Sequence, residues 1–182
     1  MPNPDTIALA AQAEAEGLDV VLVGGNAVNL HAYSRTTFDV DLLVHEAEAE
    51  KWVTFFKGRD YAISRRTANF IRLHFEPEPS SALPVDLMLV NDETFRKIQA
   101  ESLRRKVGVD LTLAIPSALH LIAMKLHALH NPQRVERGTD LQDVRHLIKA
   151  ARLDVFSPAF RAILDRYATD EIRRHIESEF GE

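Results

Sequence analysis

The sequence contains no cysteine, which excludes disulfide bonds, thiolate metal sites and a cysteine nucleophile. No apolar run is long enough to cross a bilayer, and residues 1–19 lack the basic region of a signal peptide. We therefore expect a cytoplasmic protein without a membrane partner. The net charge of −5 disfavours a broad nucleic-acid surface, which would need a basic face, but it leaves local phosphate binding open.

The sequence motifs of two common enzyme classes are also missing. There is no Gly-x-Ser-x-Gly nucleophile elbow, which disfavours a serine hydrolase, and no Gly-x-Gly-x-x-Gly dinucleotide motif. The composition, with 46% apolar and 27% charged residues, is that of an ordinary globular protein. A length of 182 residues fits one domain, or one domain with a helical appendage.

The order of apolar patterns predicts an α+β (α/β) fold, with a small mixed β-sheet flanked by helices. The predicted strands are residues 20–23, 38–44, 61–65, 70–75, 85–90 and 107–115. After Pro116 the patterns become helical, beginning with residues 117–130 and 139–151. We expect an α/β domain over residues 1–115 and a helical C-terminal part, residues 116–182, packed on it.

Two carboxylates, Asp39 and Asp41, lie two residues apart in the predicted strand 38–44, among apolar residues such as Phe38 and Val40. Side chains two apart on a strand point to the same face, so two like charges are expected side by side. Buried carboxylates are costly unless a cation neutralises them, and oxygen ligands suit magnesium. The pattern therefore predicts a divalent metal site.

Two further features fit such a site. Gly24 and Gly25 form a turn that opens a predicted helix, where backbone N–H groups can meet a phosphate. Asp86 is a third carboxylate in an otherwise apolar strand, where aspartate is uncommon. It is either a third metal ligand or a strand-start residue bonded to a backbone N–H, since Pro84 closely precedes it.

In this order, these residues resemble the nucleotidyltransferase superfamily, which has the polymerase-beta-like fold. The run from Arg35 to Asp41 is most similar to AbiEii-type and related minimal nucleotidyltransferases, several of which are toxins of toxin–antitoxin pairs. The resemblance implies nucleotide transfer from a nucleoside triphosphate, with Mg²⁺ or Mn²⁺ as cofactor. It implies catalytic and metal-binding roles for Asp39, Asp41 and Asp86, and phosphate binding by Gly24, Gly25, Asn26 and Arg35. Asn26 departs from the serine or threonine of many members.

In the helical half, Lys125 falls within the apolar face of the predicted helix 117–130, between Leu121 and Leu129. Such a lysine either extends its ammonium to solvent or points it at a buried anion. The resemblance implies the second, with the nucleotide phosphates as the anion.

Asp140 and Asp143 follow in the next predicted helix. Thr139 and Gln142 have capping-box spacing, and acids in a first turn suit the helix dipole, so a structural role is sufficient to explain them. The resemblance also implies that both aspartates belong to the nucleotide-binding site. Thr139, however, stands where similar proteins carry a second basic residue.

The remaining charged residues do not indicate a specific binding or catalytic site. We interpret Arg65, Arg66 and Arg72 as solvated strand residues, and His120 and His127 as facing solvent or an interface. The acceptor of the nucleotide stays open among transfer RNA, a protein hydroxyl and a small molecule, and an antitoxin protein is a possible partner. The alternative function is a non-catalytic nucleotide-binding or partner-binding regulatory protein of the same fold.

Overall fold

This computed structural model describes residues 5–31 and 34–181, without the side chains of residues 136 and 137. The described chain divides into two compact units. The first contains residues 5–27 and 35–116, and the second contains residues 28–31, 34 and 117–181. The predicted packing of residues 116–182 on residues 1–115 stays a prediction.

The first unit is built on a five-stranded mixed sheet, which confirms the predicted fold class. Its strands are β1 (Val21–Leu22), β2 (Val40–His45), β3 (Tyr61–Arg66), β4 (Phe70–Phe75) and β5 (Val85–Val90). Their order across the sheet is β1-β2-β5-β4-β3. The central pair, β2 and β5, is parallel, whereas the other neighbours are antiparallel. Buried apolar residues such as Leu42, Leu87 and Ile71 explain why these segments form the sheet.

The helices α1 (Thr6–Ala15), α3 (Ala49–Lys57) and α4 (Asp92–Ala100) belong to the same unit, whereas α2 (Gly24–His31) begins in it and continues into the second unit. Asp5 caps α1 by accepting hydrogen bonds from the backbone N–H groups of Ile7 and Ala8. On α3, Trp52 and Phe56 are fully buried and stack with ring centroids 6.0 Å apart. This aromatic pair anchors α3 in the core.

The single strand predicted over residues 107–115 is wrong. The structure has a two-stranded antiparallel hairpin instead, formed by β6 (Leu103–Gly108) and β7 (Leu111–Ile115). Asp110 turns the chain with a left-handed backbone, φ 58°. Strand β6 was not predicted because it is rich in basic residues and lacks apolar alternation. Every residue of this strand except Val107 is exposed.

The second unit consists mainly of α5 (Ala118–Ala128), α6 (Pro132–Arg137), α7 (Thr139–Ala151), α8 (Pro158–Tyr167) and α9 (Asp170–Phe180). Helix α5 packs against α7 and α8 through fully buried residues, among them Leu121, Leu147 and Phe160. The predicted capping box at Thr139 is wrong, because Gly138 occupies the N-cap in a left-handed conformation and Thr139 is already helical. No helix among the described residues is long and apolar enough to cross a membrane.

Candidate active site

The structure brings the three predicted carboxylates together. Asp41 on β2 lies directly opposite Asp86 on the parallel strand β5, and Asp39 comes just before β2. Oxygen atoms from all three side chains lie within 4.8 Å of one another. Neighbouring strands thus bring together residues that are 45 positions apart in the chain.

The carboxylates differ in burial. Asp86 is buried, with 5% of its surface exposed, whereas Asp39 and Asp41 are only half-buried. The expectation that Phe38 belongs to the strand is wrong: β2 begins at Val40, and Phe38 is 77% exposed. Pairing with β5 starts at Val40, so the residues before it are not held in the sheet. The site therefore opens to solvent on the side of Asp39.

Gly24 places the backbone of the turn directly against Asp41. A β-carbon built on Gly24 would lie 1.8 Å from Oδ2 of Asp41, and the φ of Gly24 is +63°. The backbone N–H group of the preceding residue, Val23, donates to the backbone carbonyl of Asp41 over 2.9 Å. Only glycine meets both the steric and the conformational requirement at position 24.

Gly24→Ala should therefore lower the free energy of unfolding by more than about 1 kcal/mol, because alanine is strained at positive φ and its methyl overlaps Asp41. Urea unfolding followed by circular dichroism measures this loss. Gly17→Ala is the matched control, since Gly17 has φ +92° but no atom within 4 Å of a built β-carbon. Equal losses in the two variants would contradict the close approach to Asp41.

Asn26 ties the segment before β2 to the start of α2. Its Nδ2 donates to the carbonyl of Asp39 over 2.9 Å, and its Oδ1 accepts from Oγ1 of Thr37 over 3.2 Å. A β-carbon on Gly25 would lie 2.5 Å from the Thr37 methyl and 2.9 Å from Nη2 of Arg35. The structure thus places Asn26, Gly25 and Arg35 around one turn. Their predicted phosphate contacts stay a prediction.

Arg72 is a site residue that sequence reasoning missed. On β4 it lies opposite Asp86, and its Nε and Nη2 donate to the two oxygens of Asp86, each over 2.6 Å. Nη2 also donates to Oδ2 of Asp39 over 3.2 Å. The interpretation of Arg72 as a solvated strand residue is therefore wrong. Nothing in the sequence signals this role, because an arginine between Ile71 and Leu73 fits the alternation of a strand whose charged side chains face solvent.

The electrostatic effect of this contact is mutual stabilisation of opposite charges. The hydrogen bond to Asp86 raises the pKa of Arg72 above its ordinary value, and this effect outweighs the opposing effect of burial. The charges of Asp86, Asp39 and Asp41 add to the rise. Arg72 is therefore a permanent cation in contact with the carboxylates.

The second unit contains a separate buried ionic cluster. Nζ of Lys125 on α5 lies 2.9 Å from Oδ1 of Asp140 and 2.8 Å from Oδ2 of Asp143, both on α7. Nε of Arg134 lies 2.7 Å from the other oxygen of Asp140. The exposed fractions of the Lys125, Asp140 and Asp143 side chains are 7%, 5% and 0%. The alternative in which Lys125 extends to solvent is therefore wrong.

The pKa of Asp140 lies below its ordinary value. Burial acts to raise this pKa, but hydrogen bonds from Arg134 and Lys125, together with their positive charges, lower it by more. A carboxylate with a depressed pKa in the folded state stabilises the fold above its unfolded pKa of about 3.9, and this contribution disappears as pH falls through the folded pKa.

We expect Asp140→Asn to reduce Tm at neutral pH and to flatten the fall of Tm in acid, below about pH 4. Thermal unfolding of the full chain at a series of pH values measures both effects. Asp165→Asn, on the exposed surface of α8, is the control. A parent-like acid slope in Asp140→Asn would show that this carboxylate is not linked to folding.

Several solved structures share this fold at low sequence identity. An antigenic nucleotidyltransferase-like protein from Paracoccidioides brasiliensis is 16% identical, with a TM-score of 0.60 over 96% of this chain and 90% of that chain. ANT(2″)-Ia in complex with adenylyl-2″-tobramycin is 16% identical, with a TM-score of 0.64 over 88% and 95%. The lincomycin-bound lincosamide antibiotic adenylyltransferase LnuA is 14% identical, with a TM-score of 0.52 over 80% and 96%.

No protein with a curated description matches the sequence. The family profile described as "Nucleotidyl transferase AbiEii toxin, Type IV TA system" matches residues 7–182. This match spans both units and includes every carboxylate of the site. The chain therefore belongs to the AbiEii nucleotidyltransferase family, and its mixed sheet with flanking helices is a nucleotidyltransferase-like fold.

Proposed function

We propose that the protein is a metal-dependent enzyme that transfers a nucleotide from a nucleoside triphosphate to an acceptor hydroxyl. The observation that carries the proposal is the convergence of Asp39, Asp41 and Asp86 beside a glycine turn, in a member of the AbiEii family. A protein that only binds a partner has no evident need to hold three like charges within 4.8 Å.

The donor set fits a hard divalent cation. Three carboxylates offer oxygen ligands, and their negative charges attract a divalent cation. We assign Asp39, Asp41 and Asp86 as the ligands of Mg²⁺ or Mn²⁺. A divalent ion bound there would neutralise charge on the triphosphate and lower the pKa of the acceptor hydroxyl.

The residues around the turn would bind the triphosphate. The backbone N–H groups of Gly24 and Gly25 open helix α2, where an anion is favoured by the helix dipole. Arg35 lies beside Gly25 and would donate to phosphate oxygens. Asn26 would act by holding Asp39 in place through its carbonyl, and Asp86 would help to take the proton of the acceptor hydroxyl.

In the second unit, we propose that Lys125 contributes to binding the nucleotide phosphates, with Asp140 and Asp143 orienting its ammonium. The support is the family match, which includes all three residues, together with the ion pairs that fix the position of the ammonium. A lysine oriented in this way loses little further side-chain entropy when it binds an anion.

The acceptor is the open part of the function. Names of structurally similar proteins refer to tobramycin and lincomycin as well as polyadenylate, so small molecules and RNA both belong in the test. The protein would be incubated with each labelled nucleoside triphosphate, Mg²⁺ or Mn²⁺, and transfer RNA, a protein mixture or either antibiotic. Label transferred to one acceptor class supports the proposal. Nucleotide binding without any transfer would favour the regulatory alternative.

We further propose that the protein is the toxin of a toxin–antitoxin pair, as its family description suggests. Induced expression should then arrest growth, and a variant without nucleotidyl transfer should not. An antitoxin encoded by a neighbouring gene should relieve the arrest. Unimpaired growth during expression of active enzyme would contradict the toxin role but not the enzymatic one.

A further inference from the structure

Arg72 occupies the position that a cation shared by two of the carboxylates would take. Its Nη2 lies 2.6 Å from Oδ2 of Asp86 and 3.2 Å from Oδ2 of Asp39, so it bridges the two side chains. Its Nε donates a hydrogen bond to the second oxygen of Asp86, Oδ1, over 2.6 Å. Both oxygens of Asp86 are therefore engaged by one guanidinium in a bidentate, charge-assisted contact.

We propose that Arg72 is an internal counter-ion that competes with the divalent metal for Asp39 and Asp86, so that metal binding displaces its guanidinium. This inference rests on the metal site of the proposed function. A Mg²⁺ ion binds carboxylate oxygens at about 2.0–2.1 Å and requires near-octahedral geometry. Asp39 and Asp86 would hold this ion and already contact Nη2, so two like charges would meet at the same ligands.

The burial of Asp86 explains why the protein needs this counter-ion. A carboxylate with 7% of its side chain exposed is costly without a cationic partner. The side chain of Arg72 is 41% exposed, so it can extend into solvent when another cation takes its place. The carboxylates are thus held together before metal binds, at the cost of a weaker affinity for the metal.

The test is calorimetric titration of the full chain with Mn²⁺ in the absence of nucleotide. Arg72→Gln should bind Mn²⁺ more tightly than the parent by about tenfold or more, because the metal no longer has to displace a positive charge from its ligands. Arg72→Lys keeps the charge but loses the bidentate contact, and its affinity should lie between the two. Arg65→Gln is the matched control, because Arg65 is exposed and lies opposite Arg72 on β3.

Thermal unfolding provides a second readout. Arg72→Gln should have a lower Tm than the parent in EDTA and should recover most of the difference in saturating Mn²⁺. Unchanged or weaker Mn²⁺ binding by Arg72→Gln would overturn the inference, because Arg72 would then support the ligands rather than compete with the metal. If the parent binds no Mn²⁺, or Asp41→Asn binds it equally well, the metal site itself is wrong, and the inference is overturned with it.

Discussion

Asp41→Asn should reduce nucleotidyl transfer by a factor of about 10²–10³ or more, the loss typical of removing one group that stabilises charge in a transition state. Asparagine has nearly the same shape as aspartate, so it keeps the contact with Gly24. It lacks the negative charge, so the set loses one of its three anionic ligands. The fold should persist in this variant, because Asp41 is only half-buried and lies near the start of β2, where the pairing with β5 begins.

The measurement is the initial rate of label transfer from the nucleoside triphosphate, together with Mn²⁺ affinity. Asp110→Asn is the control for the same chemical change, because Asp110 is exposed at the tip of the β6–β7 hairpin. Asparagine tolerates the left-handed backbone found there, so the control should fold and act like the parent. Transfer by Asp41→Asn at half the parent rate or more would refute the assigned role of the carboxylates.

Lys125→Met should lower the free energy of unfolding of the helical unit by about 3–5 kcal/mol, as expected when one partner of a buried ion pair is removed. The ammonium contacts Asp140 and Asp143, and these two side chains are 5% and 0% exposed. Arg134 would still contact Asp140, whereas Asp143 would lose the ammonium that lies 2.8 Å from it. The loss arises from buried negative charge rather than from lost packing, since methionine is of similar size.

Urea unfolding followed by circular dichroism at neutral pH measures this loss. Lys149→Met is the control, because Lys149 is 61% exposed and its pairing with Glu179 should contribute about 0–1 kcal/mol. Adding Asp140→Asn and Asp143→Asn to Lys125→Met should restore part of the stability, since the negative charges that Lys125 neutralised are then removed as well. A loss no larger than that of Lys149→Met would show that the cluster does not support folding of the helices.

Much of the fold follows from local sequence patterns. The strands 70–75 and 85–90 depend on residues close together in the chain, so their apolar patterns predicted them. Strand β6 was missed because its exposed basic residues carry no apolar alternation. An exposed strand is defined by its hydrogen-bonding partner, which in this case is β7, rather than by its own composition.

The family, the three carboxylates and the glycine turn could be identified from local sequence, because aspartates among apolar residues and paired glycines are local anomalies. The partners that compensate these charges follow from the tertiary structure. Arg72 reaches Asp86 because β4 and β5 pair in a register that places them opposite each other. Likewise, Lys125 meets Asp140 and Asp143 because α5 packs on α7. Buried charge requires a partner, but which residue becomes that partner depends on strand register and helix packing, which local sequence does not encode.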